Sequence, residues 1–167
     1  ILDTFPDTVS THDGDTEELE YGVVVPFRAH QRTVTEEVPD DILVNTVEKF
    51  QGGEKDVIVV SMAAADPGYI NQISDFIMDP SRFNVAASRM KRHVIVIASR
   101  AIFGSGSDTV EEFDRQAAWK YFYRGMGAMD SEPDYQGLLS EFTLSPLSIS
   151  RDPEIRMYSG YEPHGPV

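Results

Sequence analysis

The sequence predicts an α/β domain whose mainly parallel β-sheet is flanked by helices. Four apolar runs are typical of strands that are buried on both faces, as in parallel sheets. Helix-forming segments separate these runs, so strands and helices alternate along the chain. The predicted strands are residues 22–25, 42–47, 56–61 and 93–98.

Local signals predict three helices between and after the strands. The first runs from Phe27 to about Thr35, between Pro26 and Pro39, because proline is disfavoured inside a helix. The second begins at residues 79–81, where proline takes an early helical position. Its predicted apolar stripe consists of Phe83, Ala86, Ala87 and Met90.

The third predicted helix follows a glycine- and serine-rich stretch. Asp108 or Thr109 can cap its start, and Glu111 or Glu112 can return the hydrogen bond from three residues further on. Its predicted apolar face consists of Val110, Phe113, Ala117 and Tyr121.

The length of 167 residues suits one domain with tails. We expect an acidic loop or severed linker over residues 1–20, the domain over 21–125 and an irregular extension over 126–167. Within the domain, the sequence Asp-Pro-Gly at 66–68 predicts a loop. Within the extension, residues 142–144 indicate a short strand. The chain does not begin with methionine, which favours a piece of a longer protein.

The composition indicates a cytoplasmic protein without a membrane partner. Hydrophobic residues make up 41% of the chain, enough for a core. No apolar run approaches the roughly 18 residues that cross a bilayer, and no signal-peptide pattern is present. The absence of cysteine excludes disulfides and zinc–thiolate sites. The four histidines show no metal-ligand spacing, so no metal site is predicted.

The charge balance is strongly acidic. The chain has 28 acidic and 14 basic residues and a net charge of −14. A nucleic-acid-binding protein usually has the opposite sign. Two explanations would reconcile nucleic-acid binding with this charge: a salt-adapted, halophilic proteome, or acidic residues that cluster away from a small basic face.

Three segments place polar groups where a predicted strand meets the next element. They are residues 25–32, 44–56 and 79–92. In open α/β sheets ligands bind at the carboxyl ends of the strands. We therefore expect these segments to converge on one crevice.

The three segments resemble motifs IV, V and VI of superfamily 1 helicases. Motif V of that family reads roughly T-V-D-x-F-Q-G-x-E-x-D, and residues 46–56 read T-V-E-K-F-Q-G-G-E-K-D. Motif VI reads roughly D-x-R-R-x-N-V-A-x-T-R-A-K/R, and residues 79–91 read D-P-S-R-F-N-V-A-A-S-R-M-K. The likeness covers about 22–99 and is greatest to the 5′-to-3′ branch with the nonsense-decay and Dna2-like helicases. The departures are Glu48, Ser81 and Ser88 in place of aspartate, arginine and threonine.

The resemblance implies a RecA-like three-layer sandwich that acts as the second motor domain of an ATP-dependent helicase in replication or repair. Arg89 stands at the position of the arginine finger and is the implied catalytic residue. A guanidinium there stabilises the charge that spreads over a phosphoryl group during transfer. Gln51, Gly52 and Glu54 are the implied nucleotide contacts, since glycine allows close backbone approach and the carboxylate can accept from the ribose.

Four further residues are implied contacts of the ligands. Thr46, with Val47, is placed to offer its hydroxyl or backbone N–H to a nucleic-acid phosphate. Arg28 and Arg32 can reach either the strand or the ATP phosphates, and we assign Arg28 to the strand and Arg32 to the nucleotide. Thr46 and the two arginines also have structural explanations that need no ligand, because helix arginines are usually solvated and threonine favours strands.

The sequence contains no G-x-x-x-x-G-K-[ST] phosphate loop. The family resemblance therefore implies that ATP and Mg²⁺ are held mainly by an upstream RecA-like domain of the same protein. Single-stranded DNA or RNA is the other implied partner. We expect the isolated chain to be inactive as an ATPase.

Two alternatives stay open. The chain could be a helicase-like domain that serves as a non-catalytic binding or scaffold module, although intact Arg89 and Glu54 argue against this. It could also be an unrelated α/β nucleotide-binding enzyme, which the missing glycine-rich phosphate loop disfavours.

Overall fold

A computed structural model describes residues 7–10, 14–50, 53–62, 64–104, 106–107, 109–125, 132–133, 135–138 and 154–157. The chain divides into two compact units. One comprises Pro6–Trp119, and the other comprises Ile1–Phe5 with Lys120–Val167.

The first unit is built on a parallel four-stranded sheet. Its strands are β3 (Tyr21–Val25), β4 (Leu43–Thr46), β5 (Lys55–Ser61) and β6 (Met90–Ile97), in the spatial order β4-β3-β5-β6. All neighbouring pairs are parallel. Helices flank this sheet, so the predicted α/β fold of the RecA-like type is confirmed.

Five helices accompany the strands in the described residues. They are α1 (Arg28–Glu37), α2 (Pro67–Ile77), α3 (Pro80–Ala87), α4 (Arg100–Gly104) and α5 (Val110–Gly125). Helix α1 packs against β3 and β4, whereas α3 packs against β5 and β6. Each connection therefore returns the chain from the carboxyl edge of the sheet to its amino edge.

Helix α2 occupies the region that was predicted to begin as a loop. The Asp66 carboxylate accepts from the Tyr69 backbone N–H at 2.8 Å, and Pro67 takes the first helical position. Both features are helix-start signals. The same Asp-Pro-Gly sequence also suits a turn, which explains why the loop prediction was wrong.

Strand β6 differs from its predicted environment. It was expected to be buried throughout, but all of its residues are partly or fully exposed, including Met90 and Ile97 at 40% and 36%. Among the residues that the structure describes, this strand lies at the edge of the sheet and pairs with β5 alone. Met90 is its first residue and so does not extend the apolar stripe of α3, in which Ala86 is the buried member.

Helix α5 begins as predicted but buries a different face. Thr109 and Glu112 form the capping box, with the Thr109 hydroxyl accepting from the Glu112 N–H at 3.2 Å. The predicted face is wrong, since Val110 and Phe113 are 73% and 56% exposed. Trp119 is buried instead and packs on Phe83 with ring centroids 4.4 Å apart.

The connection from β4 to β5 is a short crossover, residues 47–54, and its described residues, 47–50 and 53–54, are not helical. Phe50 anchors it, because this side chain is only 2% exposed and joins the core with Val24 and Ile58. Gly22 makes room for it: a Cβ at position 22 would lie 2.5 Å from Phe50 Cζ. The path of this segment is therefore fixed by packing and not by regular structure.

Two small antiparallel ribbons lie outside the main sheet. The segment 1–20, expected to be a loop, contains β1 (Thr8–Ser10) paired with β2 (Thr16–Glu18). In the second unit β7 (Tyr135–Leu138) pairs with β8 (Glu154–Met157), where irregular chain was expected. The short strand suggested at 142–144 lies outside the described residues. Within the described part of the chain, no helix is both long and apolar enough to cross a membrane.

Candidate functional site

The predicted site residues lie at two opposite edges of the sheet. Glu54 directly precedes β5 and Arg89 directly precedes β6, so both lie at the amino edge. Thr46 ends β4 and Arg28 begins α1, so both lie at the carboxyl edge. The seven residues of β5 separate the edges by roughly 20 Å, at about 3.3 Å per residue. The three segments do converge on one pocket, which Val25, Val47 and Arg82 help to line, but Glu54 and Arg89 lie at the opposite edge of the sheet.

At the amino edge, backbone hydrogen bonds hold the two predicted nucleotide contacts side by side. The Lys55 N–H donates to the Arg89 carbonyl at 2.9 Å, and Lys55 is paired with Met90 in the sheet. The Arg89 N–H donates to Ala86 O at 3.2 Å, which closes the last turn after α3. Gln51 and Gly52 lie outside the described residues.

The Arg89 side chain has an unsatisfied donor. Its guanidinium is partly buried, and its Nε is buried without a hydrogen bond to any residue that the structure describes. Glu54 is exposed and likewise forms no ion pair within the described ranges. A buried donor without an acceptor costs free energy, so an anionic oxygen at this position would be favourable.

The other basic side chains of this edge are neutralised by the N-terminal segment. Arg92 pairs with Glu17 at 2.6 Å and with Asp56 at 3.3 Å. Lys55 and Lys91 both pair with Glu20, at 3.4 and 3.7 Å. Arg89 thus differs from its basic neighbours in having no acidic partner among the described residues. The sequence did not reveal these pairs, because up to 75 positions separate the partners.

Asp56 lies at the centre of this charged cluster. Its carboxylate accepts from the Glu20 backbone N–H at 3.0 Å. That hydrogen bond, helped by Lys91 and Arg92, outweighs burial and lowers the pKa of Asp56 below its ordinary value of 3.8. The amino edge is therefore held by charged contacts that keep Asp56 ionised at neutral pH.

At the carboxyl edge, Thr46 is buried and already engaged. It is 5% exposed, and its carbonyl accepts from the N–H groups of Lys49 and Phe50, both at 2.9 Å. Its hydroxyl donates to the Glu48 carboxylate. Val47 is partly buried and packs on the core. The hydroxyl and the backbone N–H of Thr46 were the two predicted ligand contacts. The hydroxyl is already occupied by its hydrogen bond to Glu48.

The two predicted arginines of α1 are solvent-facing. Arg28 is exposed at the first position of the helix. The Arg32 side chain is 84% exposed and pairs with Glu36 at 3.1 Å. Arg32 lies on α1, which packs on β3 and β4, whereas Arg89 follows α3, which packs on β5 and β6.

Sequence reasoning missed Arg82. This residue forms an ion pair with Glu48, and its guanidinium lies 3.7 Å from the centroid of the Phe76 ring. Phe76 also stacks on Phe27, with ring centroids 5.1 Å apart and planes 12° apart. The available signal was motif VI itself, in which Arg82 matches the second of the two arginines.

Comparisons with known proteins show the family to which the chain is related. A family profile described as "AAA domain" matches residues 9–101. A DNA replication ATP-dependent helicase/nuclease of Arabidopsis thaliana is 28% identical over 80 residues, which cover 47% of this chain and 6% of the relative.

Two further relatives have the same character. An uncharacterized ATP-dependent helicase of Methanocaldococcus jannaschii is 38% identical over 80 residues, covering 46% of this chain and 11% of the relative. The regulator of nonsense transcripts 1 homolog of Drosophila melanogaster is 30% identical over 76 residues, covering 46% and 6%. The matches thus span only a small part of each relative.

Proposed function

The chain belongs to the AAA domain family and to the nonsense-decay and Dna2-like branch of superfamily 1 helicases, and we propose that it is the second motor domain of an ATP-dependent helicase. In this role residues 21–125 form the motor domain, and residues 126–167 form an extension. The domain supplies an arginine finger to ATP and part of the surface that binds a single strand of DNA or RNA.

One observation carries the proposal. Arg89 presents a buried, unsatisfied Nε at the edge where Gly53 and Glu54 also lie. A phosphate oxygen is the acceptor that a guanidinium fits best, because the planar fork of donors matches its geometry. Glu17 and Glu20, which lie at the same edge, are paired with Arg92, Lys55 and Lys91.

The proposed ATP hydrolysis is shared between an upstream domain, which binds the nucleotide, and this chain, which supplies the finger. ATP with Mg²⁺, bound mainly by an upstream RecA-like domain, would supply the phosphoryl group that water attacks. Arg89 would stabilise the charge on that group. Gln51 and Gly52 would approach the nucleotide through their backbone, and Glu54 would accept from the ribose or order the site. Arg32, whose side chain is exposed on α1, stays a proposed contact of the ATP phosphates.

The predicted contacts at the opposite edge suit the second ligand. Of the proposed nucleotide residues that the structure describes, Glu54 and Arg89 lie at the amino edge, whereas Thr46, Val47 and Arg28 lie at the carboxyl edge. This division supports separate surfaces for ATP and for the strand. Since the Thr46 hydroxyl binds Glu48, we assign the phosphate contacts to the Arg28 side chain and to the backbone around Thr46.

Arg28→Ala should weaken single-strand binding of the full-length helicase to a similar extent for every sequence. Loss of one phosphate contact should also reduce the slope of log K against log salt by about 0.7 for a single strand. Fluorescence anisotropy with labelled oligo(dT) and oligo(U) over a salt series measures both quantities. The matched control is Arg32→Ala, four residues along the same helix. Equal losses in the two variants would contradict a specific contact by Arg28.

The proposed function as a whole is tested by ATP turnover with and without the upstream domain. The isolated chain should show no turnover above background, because it lacks a phosphate loop. The protein that contains both motor domains should hydrolyse ATP, and a single strand should stimulate it. Turnover by the isolated chain would contradict the proposal that it holds only half of the ATP site. No turnover by a folded two-domain protein would favour the scaffold alternative.

A further inference from the structure

Two segments run across the sheet from its carboxyl edge to its amino edge. The crossover 47–54 begins beside Thr46 and ends at Glu54. Helix α3 carries Arg82 in its first turn and is followed by Arg89. Seven residues of helical rise, about 10 Å at about 1.5 Å per residue, take the chain from Arg82 to Arg89. Each segment thus has one end near the proposed strand surface and one end in the proposed nucleotide site.

The two segments are tied together at both ends. At the carboxyl edge Glu48 of the crossover pairs with Arg82 of α3. At the amino edge the Lys55 N–H, directly after the crossover, donates to the Arg89 carbonyl at 2.9 Å. A displacement of Glu48 is therefore passed through Arg82 to α3, the short helix that Arg89 follows.

Further contacts hold both partners of the Glu48–Arg82 ion pair in place. The Arg82 side chain is 24% exposed and lies over the Phe76 ring at 3.7 Å. Glu48 also accepts from the Thr46 hydroxyl, and although burial raises the pKa of Glu48, its own backbone N–H, Arg82 and Thr46 together lower it. Glu48 is therefore anionic at neutral pH and is linked on one side to the strand surface and on the other to α3.

We propose that the Glu48–Arg82 ion pair is the positioning element that couples single-strand binding at Thr46–Val47 to the placement of Arg89. A phosphate bound at the backbone around Thr46 competes for the same local donors as Glu48, and it repels the Glu48 carboxylate. Either effect shifts Glu48, and through Arg82 it shifts α3 as a rigid unit. This inference rests on the proposed function, and it adds the residues through which the strand regulates ATP turnover.

The test uses the full-length helicase with Arg82→Ala, Glu48→Gln and the double variant. Turnover is measured without nucleic acid and with saturating oligo(dT) or oligo(U), whichever stimulates the wild type more. We expect unstimulated turnover to change by less than about twofold and stimulation to fall about tenfold, within the range usual for coupled sites. The double variant should lose no more than either single variant, because the partners act as a unit.

Controls separate coupling from simple damage to the fold. Arg115→Ala removes another ion pair, 2.9 Å to Asp75, that lies outside both crossing segments, and it should retain full stimulation. Melting temperatures identify any variant that fails to fold, and Glu48→Gln, which keeps its size and acceptor oxygen, then carries the test alone. Retained stimulation in a folded variant, parallel loss of stimulated and unstimulated turnover, or additive losses would overturn the coupling. Failure of the proposed function has a different signature, namely wild-type turnover in Arg89→Ala.

Discussion

Replacing Arg89 with alanine in the full-length helicase should reduce ATP turnover by about 10³-fold or more, the effect typical of removing an arginine finger. The reason is that no other basic side chain at the amino edge is available among the described residues, since Lys55, Lys91 and Arg92 are paired with acidic residues. Turnover under saturating ATP and a saturating single strand measures the effect. ATP binding should change much less, because the upstream domain holds most of the nucleotide.

Two further variants test whether the loss of turnover is specific to a guanidinium at position 89. Arg89→Lys should restore little turnover, because an ammonium lacks the planar fork that meets phosphate oxygens. Arg92→Ala, three residues further along, should lower stability through loss of its contacts with Glu17 and Asp56 but retain most of the turnover. If Arg89→Ala kept more than about a tenth of wild-type turnover, the finger assignment, for which about 10³-fold is expected, would be wrong.

The second large effect concerns the stability of the domain. Phe50→Ala should lower the free energy of unfolding by about 3–5 kcal/mol, as for other buried phenylalanines. Phe50 is 2% exposed and fills the space left open by Gly22, so its removal leaves a cavity under the crossover. Urea unfolding followed by circular dichroism measures the change, as a lower midpoint with a similar slope.

Phe113→Ala provides the matched control, because the side chain of this phenylalanine is 56% exposed on α5. Its effect should stay below about 1 kcal/mol, as for most surface positions. A similarly small effect for Phe50→Ala would mean that the crossover is not anchored by this ring. Glu54 would then lack a fixed position beside Arg89.

The sheet was predictable because its inner strands are formed by apolar runs that can be read directly from the sequence. Val23, Val24 and Val25 of β3 are all at most 2% exposed, as an unbroken apolar run predicts. The environment of β6 was not predictable in the same way, because exposure depends on whether a second strand pairs with it. The predicted apolar face of α5 was wrong for a related reason. Helical spacing shows which residues share a face, but the packing of Trp119 in the core determines which face is buried.

The site was only partly predictable. The motifs identified Arg89 and Glu54, and the structure places them next to each other. Their location at the amino edge follows from the predicted strands 56–61 and 93–98, because Glu54 and Arg89 precede these strands, and the expectation of a carboxyl-edge site overlooked this order. The Glu48–Arg82 and Glu20–Lys55 pairs join residues 34 and 35 positions apart, and such contacts depend on the tertiary fold, not on local pattern.

The most direct measurement is a crystal structure of the two-motor-domain protein with a non-hydrolysable ATP analogue and a single strand. We expect the Arg89 guanidinium to lie about 3 Å from an oxygen of the γ-phosphate, across the gap from the phosphate loop of the upstream domain. A side chain turned into the core of its own domain, or another residue in contact with the γ-phosphate in its place, would contradict the account.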